Sequence, residues 1–309
     1  MSESQLTVAI GLISVLILLP LAVTILVRLL VPLNQPESEL EPDSFGEIES
    51  LSDFWAGMVP HLRELRDRLV KSLIAIGIGT AVGFWLVNSP KLFGKTLPNL
   101  LIDQFVPAGV KLQFVGPAEG FVSYMRISLV IGVAIAIPVI VYQVIAFFAP
   151  GLLPREKRLV FTALPFVTEL FLAGLAFGWF FTVPAAMNFL LTYGGGERIE
   201  ARPSFESFVS LVSTLLLWNG AIFEMPAVIY LLAWLGLVNA KMLARTRRYA
   251  IVIIVVAAAI ITPTGDPYNL MLLAVPMYLL YELGILLARL APRRSAPRPE
   301  PASVEATKT

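Results

Sequence analysis

Residues 127–158 read ISLVIGVAIAIPVIVYQVIAFFAPGLLPREKR. The stretch 127–148 carries no charged side chain. At 1.5 Å per residue it reaches about 33 Å, enough to cross a hydrocarbon core of about 30 Å. Lipid offers no partner for free backbone groups, so a crossing segment is a helix or part of a closed barrel. No period-2 alternation of barrel strands is present, which leaves the helix. Pro150 and Gly151 break it, and Arg155, Lys157 and Arg158 follow at once. Pro138 lies inside the run, removes a backbone donor and is expected to kink the helix.

The same reading extends in both directions. Further apolar spans cover residues 72–87, 159–190, 207–236, 249–262 and 268–288, and another covers 8–27 near the N-terminus. Pro165, Pro184, Pro226 and Pro276 sit inside them, so a curved assembly is expected rather than a straight bundle. The apolar run 250–261 is short, about 18 Å against about 30 Å. Such a span thins the bilayer or is sheltered in the fold. Composition agrees: 57% of the 309 residues are hydrophobic, 15% are charged and the mean hydropathy is +0.79. A soluble domain carries about 25% charged residues. The expected fold class is therefore an all-α integral membrane protein. A net charge of +1 gives no bulk basic field for nucleic acid. With no cysteine, disulfides, cysteine-ligated clusters and thiol catalysis are excluded. The single histidine, His61, leaves no histidine-based metal cluster, and no cofactor is expected.

The span 8–27 is followed by Arg28 and by no small-residue cleavage site, so it reads as an uncleaved anchor. An acidic linker follows, with Glu37, Glu39, Glu41, Asp43, Glu47 and Glu49, and reads as solvated. Basic residues set the topology. Arg28, Arg63, Arg66, Arg68, Lys71, Arg155, Lys157, Arg158, Lys241, Arg245, Arg247, Arg248, Arg289, Arg293, Arg294, Arg298 and Lys308 flank one side. Only Lys91, Lys95, Lys111, Arg198 and Arg202 flank the other. The positive-inside rule puts the first set in the cytoplasm of a prokaryotic cell, the N-terminus outside and the C-terminus inside. The expected organisation is an anchor over 1–33, a linker over 34–57, a six-helix membrane domain over 58–290 and a disordered tail over 291–309.

Residues 58–71, MVPHLRELRDRLVK, place Leu62, Leu65 and Leu69 on one helical face. They read as an amphipathic surface helix leading into the next span. Periodicity alone makes Glu64 and Arg68 an i,i+4 surface pair. Glu156 stands among three cations in a short loop and reads as a neutralised charge. Glu224 and Glu169 fall inside spans, where a carboxylate is costly and must face the interior or water, pair, or stay protonated. Gln143 beside Tyr142, and Asn219, add polar atoms at membrane depth, and Arg126 can snorkel to an interface. Enzyme readings fare poorly. No aspartate lies within a span, the single histidine, His61, falls on the surface helix, and no phosphate-binding loop is present.

Several stretches resemble the TatC family, and they occur in its order. They are His61-Leu62-Arg63-Glu64-Leu65-Arg66-Asp67-Arg68-Leu69; then Pro138, Tyr142-Gln143, Phe147 and Ala149-Pro150-Gly151-Leu152 with Glu156-Lys157-Arg158. Phe223-Glu224-Met225-Pro226 follows, then Arg247-Arg248-Tyr249, Ile261-Thr262-Pro263, Pro276 and Tyr281-Glu282. The resemblance implies six kinked transmembrane helices in a cupped arrangement, with one extra N-terminal helix here. It implies a receptor for signal peptides carrying two consecutive arginines on folded cargo. It also implies export driven by the proton-motive force with TatA and often TatB, in an oligomeric complex in the lipid bilayer. The family's recognition glutamates match Glu64 and Glu156, with Arg66 beside them. Glu224 and Gln143 match its membrane-depth polar positions. Carboxylates answer guanidinium forks with short charge-assisted bonds, and the neighbouring cations disfavour other cationic ligands. The sequence departs from the family in its first span and linker, in a Thr262–Asp266 turn one residue longer, and in Glu169. The alternative is a proton-coupled secondary transporter using Glu169 and Glu224. That class usually carries internal repeats, and none is visible between the halves.

Overall fold

A computed structural model describes residues 51–89, 95–107, 110–148, 154–192 and 203–291. The expected anchor over 8–27, most of the linker, the loop 149–153 and the tail from 292 lie outside the described residues. The described chain is helical: α1 (Leu51–Val87), α2 (Leu97–Phe105), α3 (Glu119–Phe148), α4 (Pro154–Phe177), a π turn (Gly178–Thr182), α5 (Val183–Thr192), α6 (Phe205–Phe223), α7 (Met225–Trp234), α8 (Ala240–Arg245), α9 (Arg247–Ile261) and α10 (Pro267–Leu290).

Helix α1 unites the expected surface helix and the following span in 37 residues, and it starts at Leu51, inside the expected linker. The physical reason is local, since 51–58 (LSDFWAGM) is largely apolar and holds no proline. Leu62, Leu65 and Leu69 stay exposed along it, so that face meets no other part of the described chain. Helices α1 and α3 pack where small residues let their backbones meet. A Cβ added at Gly79 would lie 2.5 Å from the Gly132 carbonyl oxygen, and one at Gly83 would lie 2.5 Å from that of Ser128. Helices α4 and α6 meet the same way, since a Cβ at Gly174 would fall 2.4 Å from the Asn219 carbonyl oxygen.

Prolines shape the long segments in different ways. Pro138, Pro165 and Pro276 sit inside continuous helices. Pro184 cannot donate to the Phe180 carbonyl, and the ladder slips just before it: the Val183 N–H reaches back to the Gly178 carbonyl, which makes the π turn. Pro226 ends one ladder and opens another, so the expected span 207–236 is two helices that meet at Glu224.

Five helical segments are long and apolar enough to cross a membrane: Val59–Val87, Glu119–Phe148, Leu164–Thr192, Phe205–Trp234 and Pro267–Leu290. The expected span 249–262 becomes α9, whose 15 residues reach about 22 Å and fall short. Pro263 holds Thr262 in an extended conformation, and Gly265 turns the chain at φ +62° before Asp266 caps α10.

Three apolar clusters hold the helices together. Val87, Phe105, Val183, Met187, Val209 and Val212 fill one end. Ile229, Ala258, Leu273 and Ile285 join α7, α9 and α10. Ile145, Leu164 and Trp234 close the end where α1 begins.

A polar cluster between α1 and α3

Helix α1 presents His61, Glu64 and Arg68 at i, i+3 and i+7, hence on one face. The last turns of α3 present Gln143 and Phe147 at i and i+4. The two faces meet. Arg68 donates from Nε and Nη2 to Glu64 Oε1, at 3.0 and 2.6 Å. Its Nη1 donates to Gln143 Oε1 at 3.4 Å. The His61 ring stacks on Phe147 with centroids 4.3 Å apart, and its Nδ1 stands 4.0 Å from Glu64 Oε2. The Glu64 side chain is 32% exposed and that of Arg68 is 23% exposed, so the pair is open to solvent on one side. The contact is a charge-assisted one between a carboxylate and a guanidinium.

Other candidate residues distribute as follows. Arg66 does not join the cluster: it pairs with Asp67 at 2.8 Å on an exposed surface. Residues two apart on a helix do not face each other, so Arg66 and Glu64 point to different sides. Glu156 lies not in a loop but in the first turn of α4, the helix that follows α3, and its side chain is outside the described residues. Gln143 meets Arg68 near the end of α3, which ties it to the surface helix and not to Glu224.

Glu224 occupies the junction of α6 and α7, and its Oε1 is buried without a hydrogen-bond partner. Glu169 is exposed on α4. Asn219 is fully buried, where it accepts from Thr182 at 3.2 Å and donates to the Leu215 carbonyl at 2.8 Å. Arg126 binds the Ser210 hydroxyl and lies 3.5 Å from Glu206. Asp266 accepts from the Asn269 backbone and side chain, both at 2.8 Å. Partial desolvation works against that carboxylate, but the hydrogen bonds from Asn269 outweigh it and hold the Asp266 carboxyl below its ordinary range. Among the described residues, no group of three histidine, cysteine or acidic side chains gathers for a metal ion.

Two stretches that stood apart in the sequence also meet. Arg247 donates from Nη2 to Glu282 Oε2 at 2.7 Å, and Tyr278 donates to Glu282 Oε1 at 2.9 Å. The Tyr281 hydroxyl donates to the Leu243 carbonyl at 2.9 Å. These bonds fasten α8 and α9 to α10. The sequence carried no sign of them beyond the residues themselves, because the partners are 35 and 38 positions apart.

Residues 60–276 match the family described as Sec-independent protein translocase protein (TatC). The chain is 37% identical over 232 residues to the TatC protein of Desulforapulum autotrophicum, covering 74% of this chain and 83% of that one. It is 37% identical over 241 residues to the TatC protein of Aquifex aeolicus, covering 77% of this chain and 96% of that one. A crystal structure titled as the twin arginine translocase receptor TatC superposes with a TM-score of 0.62 at 38% identity. That match covers 75% of this chain and all of the other.

Proposed function

The chain belongs to the TatC family of Sec-independent protein translocase proteins, and from that premise we propose that Glu64 and Glu156 receive the paired arginines of a signal peptide. It is a membrane-embedded component of this translocase, and signal-peptide binding is the family's role. Arginine stays charged at any working pH and offers a planar donor fork. The observation that carries the reading is the seat of the Arg68 guanidinium on Glu64, with two donors on one carboxylate oxygen. Glu156 stands at the start of α4, after the short connection from the end of α3 that bears Gln143 and Phe147.

The rest of the reading follows from the basic residues and the family. The end of the bundle holding Glu64 faces the cytoplasm, the N-terminus is outside and the C-terminus inside. Six helices form a cupped body, α9 being the short fifth, and the 8–27 segment adds a separate anchor. Folded cargo crosses with TatA, and often TatB, at the expense of the proton-motive force. Arg66, exposed on α1, takes part in signal-peptide binding from outside the cluster.

The test is binding of a labelled Arg-Arg signal peptide to the purified protein, against its Lys-Lys twin at fixed salt. A preference of about tenfold for Arg-Arg is expected, one strong charge-assisted contact's worth. Equal binding would remove the carboxylate-fork mechanism. Glu224 serves a later step, insertion of the peptide or docking of a partner, because a buried carboxyl oxygen without a partner at a helix break is poised for a new bond. Glu224→Ala is expected to leave peptide affinity within about twofold, less than half a kcal/mol, and to slow export several-fold. Export at the normal rate would take that role away.

A further inference from the structure

The Glu64 carboxylate already holds a guanidinium, one supplied by the chain itself. Arg68 places two donors on Glu64 Oε1, at 3.0 and 2.6 Å, as an incoming arginine fork would. Any peptide arginine bound at Glu64 must share or displace this occupant. Displacement is a side-chain event, because Glu64 and Arg68 lie one turn apart on the same unbroken helix. Arg68 also has a second acceptor in reach. Its Nη1 lies 3.4 Å from Gln143 Oε1 on α3, and that bond is long enough to tighten once Glu64 is taken. Both side chains are partly exposed, so the exchange is open to solvent.

We infer that signal-peptide binding at this site is an exchange of guanidiniums: Arg68 occupies Glu64 in the empty receptor, and Gln143 seats Arg68 after the peptide's arginine displaces it. The inference rests on the assignment of Glu64 above and adds a source of selectivity to it. An incoming cation must replace a two-donor contact. Another guanidinium replaces it in kind. A lysine ammonium is a compact, strongly hydrated point charge without a fork, and it replaces less of what Arg68 gave. The resident arginine thus sets a threshold that favours arginine over lysine. Gln143, neutral and fixed on the facing helix, gives Arg68 a seat without competing for the peptide's charge.

The experiment measures Arg-Arg and Lys-Lys peptide affinity for the full chain and for R68Q, R68K, Q143A and E64A, with thermal unfolding to verify folding. R68Q is expected to bind the Arg-Arg peptide about two- to fivefold more tightly, the scale of an exposed pair removed. It is expected to gain more for Lys-Lys, so that the Arg-over-Lys ratio falls. R68K keeps the charge and loses the fork, and its ratio is expected to fall nearly as far as that of R68Q. Q143A removes the second seat and is expected to weaken Arg-Arg binding. Weaker Arg-Arg binding by folded R68Q overturns the exchange and makes Arg68 a positioning residue for Glu64. A ratio in R68K equal to that of the unaltered chain overturns the fork argument, since charge alone would then account for the threshold. E64A separates the two levels: undiminished binding there removes the Glu64 assignment itself, whereas loss of binding in E64A beside a weakened R68Q removes only the exchange.

Discussion

Glu64→Ala is expected to lower the affinity for an Arg-Arg signal peptide by about 10- to 100-fold while the protein still folds and assembles. The size follows from the contact. A hydrogen bond to a charged group contributes about 1.5–3 kcal/mol, and each 1.4 kcal/mol is a factor of ten. Folding is spared because the native partners of Glu64 are few and partly exposed. The main one is Arg68, an i,i+4 neighbour on the same helix, and exposed pairs of that kind contribute about 0.3–0.5 kcal/mol. Glu156→Ala is expected to act in the same direction and to a similar extent. Titration of labelled peptide against each purified variant decides the matter. Undiminished binding in both would sink the assignment of the two carboxylates. A collapse of folding in Glu64→Ala would mean that the cluster with Gln143 and Phe147 matters more to the α1–α3 contact than to the ligand.

The largest expected effect on stability lies a few turns further along the same pair of helices. Gly132→Ala places a methyl group 2.4 Å from the Thr80 backbone nitrogen and 2.5 Å from its hydroxyl, closer than real Cβ contacts come. Backbone cannot swing aside as a side-chain tip can, so α1 and α3 must separate along their interface. Overpacking of this kind costs about 1–3 kcal/mol, which lowers the melting temperature of a domain this size by about 3–10 °C. Gly77→Ala is the internal control. It lies on α1 close to the contact with Gly132, but an added Cβ meets nothing within 4 Å. There the better helix propensity of alanine should leave stability unchanged or slightly raised. Equal melting of the two variants would show that helix approach does not limit stability here.

Hydropathy alone makes most of the helical frame legible. The end of α3 falls at Phe148, where the apolar run stops, and α10 ends within two residues of the expected boundary. What remained hidden depends on contacts and not on periodicity. Helix α2 has nine residues and includes Asn99, Asp103 and Gln104, too short and polar to register as a span. It exists because Leu100, Leu101 and Phe105 bury themselves against the bundle, with Phe105 edge-on to Trp179 at 4.8 Å. Pro226 signalled trouble in its span, but a kink and a full break at Glu224 look alike in sequence. The site was half legible. Glu64 and Arg68 form the i,i+4 pair that their spacing announced. The pairing of Arg68 with Gln143 joins residues 75 positions apart, beyond the reach of any local pattern. Arg66 stands outside the cluster for a reason that spacing supplies, because it is two residues from Glu64.

The π turn at Gly178–Thr182 has a consequence for the tolerance of this chain to insertions and deletions. It holds one residue more than an α-helical path would need, and each residue of a helix advances the side chains by about 100°. The wide turn absorbs that surplus, so α5 keeps the phase in which Val183, Ala186 and Met187 are all but sealed from solvent. Loss of a single residue within the turn would restore a regular ladder and leave those three in place, whereas loss of one from the regular helix on either side would shift the phase by about 100°. A one-residue deletion is therefore tolerated in the turn far better than beside it.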